Sequence, residues 1–205
     1  MVKLTIVYDN DIFQKGLASD WGFSCYVQTP VTNLLFDTGA KGNILLSNMA
    51  KLGINPKDID AVMLSHDHWD HTGGLSSLLK VNPEVTVYKP TFSKIPREFL
   101  KGITTTGTLG GIWGIKEQSL IIKTSKGLVV IAGCSHPGLE NILEVARNLG
   151  KVYAVLGGFH GFNKFDVLKG ISLVLPCHCT QYKQEILNLY PKTSYSCGAG
   201  KIIEI

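Results

Sequence analysis

One stretch constrains this chain more than any other: Ser65-His66-Asp67-His68-Trp69-Asp70-His71, followed by Thr72-Gly73-Gly74-Leu75. His66, His68, Asp70 and His71 are four metal-ligand side chains within six residues, and the apolar run Ala61-Val62-Met63-Leu64 leads straight into them. That run reads as a short buried strand, and Thr72 onward, with Leu75, Leu78 and Leu79, reads as a helix start over residues 72–80. The ligands are therefore expected on a strand-to-helix turn. A turn can point successive imidazoles the same way, whereas a regular strand sends alternate side chains to opposite faces. His66 and His68 suit one metal, with Asp70 and His71 placed for a second close by. Imidazole and carboxylate donors suit zinc, with manganese, iron and nickel as alternatives. A surface loop that merely happens to be His-rich is a poor rival, because three of the chain's six His fall here.

The rest of the chain bounds the setting. With 205 residues and 44% hydrophobic content, a single domain over residues 1–205 is expected, with a substantial core. No apolar run approaches a membrane span, and the N-terminus reads as a strand without a signal peptide's cleavage region, so a cytoplasmic protein with no membrane partner is expected. Five Cys (Cys25, Cys134, Cys177, Cys179, Cys197) is an odd, scattered set that argues against a secreted disulfide framework. The net charge of +4 is dispersed and mostly lysine, with no clustered Arg and Lys among aromatics, so nucleic acid is not expected as a partner. A small-molecule substrate, with anions favoured by the mildly basic surface, is expected instead. Oligomeric state is not legible.

In chain order, Leu4 to Tyr8, Phe23 to Gln28 and Asn33 to Phe36 read as strands and Asn43 to Leu52 as a helix ending at Gly53. Val85 to Tyr88 reads as a further strand. Residues 91–118, rich in Thr and Gly without a sustained period, read as mostly irregular. The second half repeats the first: strands at 119–123 and 128–132, a helix over 138–149, and a strand at 153–156 match the earlier order of hairpin, helix and strand, each ending at a histidine. Packing the two halves sheet to sheet would bring the strand exits to one rim. His136, His160 and His178 each follow an apolar strand-like run, and residues 201–205 read as a closing strand. Together with the cluster, these three histidines are expected to converge on one site.

The His-x-His-x-Asp-His turn and the order of elements resemble the metallo-β-lactamase superfamily. That resemblance implies an α/β fold, a four-layer αββα sandwich. It also implies that His66, His68 and His136 hold one metal while Asp70, His71 and His178 hold another. Two departures stand out. Many members end a downstream strand in Gly-Asp, whose carboxylate bridges the metals, whereas here the strand ends Gly133-Cys134; Cys134 and His160 are both open as the bridging ligand. The usual third histidine lies one hairpin earlier, near Lys116 to Ser119, where this chain has none.

Tyr8-Asp9-Asn10, Asp37-Thr38-Gly39, Lys116-Glu117-Gln118-Ser119-Leu120, Gly133-Cys134-Ser135-His136-Pro137-Gly138, Gly157-Gly158-Phe159-His160 and Pro176-Cys177-His178-Cys179 are similar to a subgroup described as dihydropteroate-synthase-like or metal-dependent hydrolases. Some archaeal members make a ribofuranosylaminobenzene phosphate intermediate, which implies a phosphate-bearing or pterin-related substrate. The expected chemistry is hydrolysis by a metal-bound hydroxide at a binuclear centre of two zinc ions. Asp70 and His160 would be catalytic, with Asp37 either orienting a ligand imidazole or capping its turn. The alternatives are group transfer with an organic acceptor and a diiron redox protein. The latter is disfavoured because diiron relatives typically carry Glu where this chain has His68.

Overall fold

The computed structural model describes residues 1–205. They form two compact units, Met1–Lys89 with Cys197–Ile205, and Pro90–Ser196. No helix is long and apolar enough to cross a membrane.

In the first unit, β1 (Lys3–Tyr8), β2 (Ser24–Gln28) and β3 (Asn33–Phe36) run antiparallel. Helix α1 (Gly42–Lys51) then carries the chain across to β4 (Ala61–Met63), which lies parallel to β3. Parallel neighbours need such a crossover, since a tight hairpin can only reverse direction. The short helix α2 (Trp69–Thr72) and helix α3 (Leu75–Val81) lead to β5 (Thr86–Tyr88), again parallel. Leu45 and Met49 of α1 pack with Leu35, Val62, Leu64 and Leu78 in one buried cluster. Asn48 shares that buried face but is satisfied there, donating to the Val7 and Ala18 carbonyls and accepting from the Ala18 N–H.

The helix expected over residues 72–80 is in fact two, and the first begins earlier, at Trp69. Asp70 and His71 therefore sit inside a helical turn rather than ahead of one. Gly73 and Gly74 follow, in close contact with neighbouring backbone. A Cβ on Gly73 would lie 2.1 Å from the Ala40 carbonyl oxygen, and one on Gly74 would lie 2.2 Å from that of Thr38. This pressing of α2 against the loop after β3 is what fixes the position of Asp70 and His71.

The second unit contains β6 (Arg97–Leu100), β7 (Ile103–Thr105), β8 (Leu109–Gly110), β9 (Lys116–Glu117), β10 (Leu120–Thr124), β11 (Gly127–Ala132), α4 (Leu139–Leu149), β12 (Val152–Gly158), β13 (Leu173–Cys177) and α5 (Lys183–Leu189). Strand β14 (Ile202–Glu204) returns to pair with β1. The first sheet runs β14-β1-β2-β3-β4-β5, the second β13-β12-β11-β10-β7-β6, and β8 pairs with β9 as a separate hairpin. The repeat read from the sequence appears within each unit. β2, β3, α1 and β4 match β10, β11, α4 and β12, each an antiparallel pair, a crossover helix and a parallel third strand. Helix α4 buries Leu139, Ile142, Leu143 and Ala146, one stripe at helical spacing, against Val130, Val155 and Val174.

Most of residues 91–118 lies outside strands, as expected, but the segment also supplies four short strands. Strands of two to four residues are too short to show a period.

Candidate metal centre

In the first unit the four clustered side chains are organised by Asp37, the residue just after β3. Its backbone is left-handed (φ 58°), an uncommon conformation outside glycine, and this turns its carboxylate back under the cluster. Oδ1 accepts the Ser65 N–H at 2.7 Å, while Oδ2 accepts the Ser65 hydroxyl at 2.7 Å and His71 Nδ1 at 2.7 Å. The Ser65 hydroxyl, already donating to Asp37, accepts from His66 Nδ1 at 2.8 Å. Both imidazoles thus carry their proton on Nδ1 and their lone pair on Nε2. Thr38 adds two bonds from its N–H and hydroxyl to the His71 carbonyl, fixing the turn. The His66 ring lies 4.5 Å from that of His68 and 4.2 Å from that of His71, centroid to centroid. Asp70 Oδ2 stands 3.7 Å from His71 Nε2. His66, Asp70 and His71 are buried, and His68 is half-buried.

The second unit repeats the device with a different acid. Glu117, fully buried, accepts the N–H groups of Cys134 and Ser135 on Oε1, each at 2.9 Å. Its Oε2 accepts the His136 N–H at 2.9 Å and His136 Nδ1 at 2.8 Å. One carboxylate therefore shapes the whole Cys134-Ser135-His136 turn and sets the His136 tautomer with its lone pair on Nε2. Ser135, His160 and His178, each one or two residues past its strand or a little further, are also left-handed, at φ 59°, 47° and 46°. With Asp37, four of the five non-glycine residues at positive φ stand just beyond strand ends that carry these side chains. Such local strain persists where surrounding contacts enforce it, and it clusters at functional sites.

His160 lies with its ring 5.2 Å from that of His136, and its Nδ1 is buried without a hydrogen-bond partner. A hydrogen bond from the ring to Cys179 raises its pKa, opposed by partial burial and aided by the negative charges of Cys179 and Glu117. Cys134 Sγ and Cys179 Sγ are 3.3 Å apart, and Cys134 Sγ is within 4.8 Å of a ring nitrogen of His178. A cavity of about 320 Å³ opens beside these groups, lined by Ile112, His136, Phe159, His160, Phe162 and Lys164 among others.

The first unit thus brings together His66, His68, Asp70 and His71, and the second brings together Cys134, His136, His160 and His178. The donor chemistry fits divalent metal ions: three imidazoles present Nε2 with Nδ1 held by an oxygen acceptor, beside a carboxylate and a thiol. Sequence reading gave no role to Ser65 or Glu117. Glu117 had one available signal, an acid three residues ahead of the apolar strand that starts at Leu120, where a buried carboxylate must find several donors.

This chain belongs to the metallo-beta-lactamase superfamily, whose family model matches residues 22–148. A 7,8-dihydropterin-6-methyl-4-(beta-D-ribofuranosyl)-aminobenzene-5'-phosphate synthase of Methanocaldococcus jannaschii is 30% identical, over 83% of this chain and 84% of its own length. The crystal structure of Tm1679, a metal-dependent hydrolase of the beta-lactamase superfamily, matches with a TM-score of 0.81 at 25% identity, over 100% of this chain and 99% of that one. YhfI from Bacillus subtilis, a metallo-beta-lactamase fold protein, matches with a TM-score of 0.72 at 16% identity over the whole of both chains, which concerns the fold alone. The α/β metallo-β-lactamase fold class expected from the sequence is the observed one.

Proposed function

We propose that this chain is a metal-dependent hydrolase of small, phosphate-bearing molecules, acting in the cytoplasm with two zinc ions. In this reading His66, His68 and His136 hold one ion, and Asp70, His71 and His178 the other. Cys134, beside His178, serves as the further donor to the second ion. The observation that carries the reading is the pair of buried carboxylate–imidazole clamps, Asp37 on His71 and Glu117 on His136, built independently in the two units. Buried charge is expensive without such partners, and orienting an Nε2 lone pair is what a ligand site requires of it.

When bound, the ions supply a Lewis acid for a developing oxyanion and acidify a water molecule. The chain's own residues then have defined tasks. Asp70 orients the attacking water through its carboxylate and accepts its proton. His160, on the cavity wall, delivers a proton to the leaving oxygen. Phe159, Phe162 and Ile112 make that side of the cavity apolar, and Lys164 at its margin is paired with Glu140, 2.7 Å away.

A second reading, group transfer, is favoured by the synthase relative at 30% identity. The two separate in one assay set. Hydrolysis of phosphate esters and phosphodiesters by the zinc-loaded protein, lost in His68→Ala and Asp70→Ala, supports the proposal. Turnover of a phosphoribosyl diphosphate donor only when an aromatic amine acceptor is present, with no ester hydrolysis, replaces it by transfer. Hydrolysis that persists in both variants at the parent rate contradicts the roles assigned here.

A further inference from the structure

The proposed chemistry uses one thiol and leaves its neighbour without a task. We infer that Cys134 and Cys179 form an oxidisable pair, a modification site that closes to a disulfide and removes a sulfur donor from the metal centre. The consequence for metal rests on the reading above; the pair itself does not.

The two sulfur atoms are already 3.3 Å apart. A disulfide of about 2.05 Å needs them to approach by only about 1.3 Å, a shift that side-chain rotation can supply. The approach is built into the backbone. Gly158, at the end of β12, separates the two turns, and a Cβ there would fall 2.7 Å from Cys179 Sγ and 3.3 Å from Cys134 Cα. Any larger residue would force them apart.

Each turn is also pinned. Glu117 holds the Cys134 N–H, while the Thr180 hydroxyl donates to the Cys177 carbonyl and accepts the Phe159 N–H, fixing the loop that carries Cys179. The sulfurs therefore stay paired rather than meeting by chance. The pair adjoins the cavity: Ser135 and His136, next to Cys134, line it together with His160, the hydrogen-bond partner of Cys179. Cys25 offers a contrast: it is fully buried in β2, and burial pushes its thiol pKa up, away from reactivity.

With hydrogen peroxide as oxidant the step balances. One sulfur, as thiolate, attacks a peroxide oxygen, breaking the O–O bond and leaving a sulfenic acid and water. The second sulfur then attacks the sulfenic sulfur, forming the S–S bond and expelling the sulfenic oxygen as a second water. Two thiols lose two electrons and two protons, and one peroxide is reduced to two waters.

The test uses the full chain, reduced, stripped of metal, treated with stoichiometric hydrogen peroxide, alkylated and digested with trypsin without reduction. The expected product contains peptides 127–147 and 170–183, the latter also carrying the disulfide of Cys177, with fragment ions placing the new link between Cys134 and Cys179 and dithiothreitol reversing it. Cys179→Ser should abolish the link and Cys25→Ser should leave it intact. The cross-linked protein, reloaded with zinc, should hold about one ion fewer than the reduced protein.

Sulfinic acid at either residue without a link, a link from Cys134 to Cys177, or thiols that do not react would overturn the pairing. A link that forms with unchanged zinc content would overturn its effect on the metal. Reduced protein that binds no zinc at all would count against the metal reading and leave the pairing standing on the peptide map.

Discussion

Replacing Glu117 by Gln tests whether the carboxylate controls the His136 tautomer. The side chain keeps its shape but presents one oxygen and one NH2 group where four donors now converge: the N–H groups of Cys134, Ser135 and His136, and His136 Nδ1. Turning the NH2 toward Cys134 and Ser135 strands two backbone donors. Turning it toward His136 strands only one, because the imidazole can answer by moving its proton from Nδ1 to Nε2. The second arrangement should therefore prevail, at about 1–3 kcal/mol for the one buried N–H left facing a donor. The proton it moves lands on the nitrogen assigned to the metal, so zinc affinity should also fall about 10–100-fold, or roughly 1.4–2.7 kcal/mol. Urea unfolding of metal-stripped protein measures the first effect, and competitive zinc titration of the folded protein measures the second. A variant with the parent's urea midpoint and a zinc affinity within about twofold would refute the account of Glu117.

The other clamp makes a parallel prediction. Asp37→Asn should weaken zinc binding about 10–100-fold by the same exchange at His71, read by the same titration. Leu143→Ala, in the fully buried stripe of α4, should lower stability by about 2–5 kcal/mol in urea while leaving zinc affinity of the folded protein near the parent's. At the surface, a hydrogen bond from Lys41 and then one from the Trp21 N–H hold the Asp20 carboxyl below its usual range. A depressed carboxyl pKa lends its stability above about pH 4 and loses it as pH falls through the lowered value. An NMR titration of that carboxyl should show the depression, and Lys41→Ala should bring its pKa back toward the usual value.

The parts of this molecule that could be read from sequence are those whose signal is local. The His66 to His71 cluster, the apolar strands Asn33–Phe36 and Gly127–Ala132, and the stripe of α4 each declare themselves within a dozen residues. Asp37 stood undecided between turn cap and orienting partner, and its bond to His71 spans 34 positions, which no window captures. Glu117 and the Cys134–Cys179 pair escaped for the same reason, with partners 19 and 45 residues away. The strands in residues 97–117 were missed for the opposite reason: each is too brief to show alternation, and pairing with neighbours rather than intrinsic pattern makes them strands.

The central claim is that the side chains gathered in each unit hold metal, and the most direct measurement is metal per chain. Untagged protein purified without chelator should contain about two zinc ions by elemental mass spectrometry, falling in His68→Ala and Asp70→Ala. Near-stoichiometric iron in place of zinc would move the chemistry toward redox. Protein that carries no metal and takes none up on reconstitution would contradict the account.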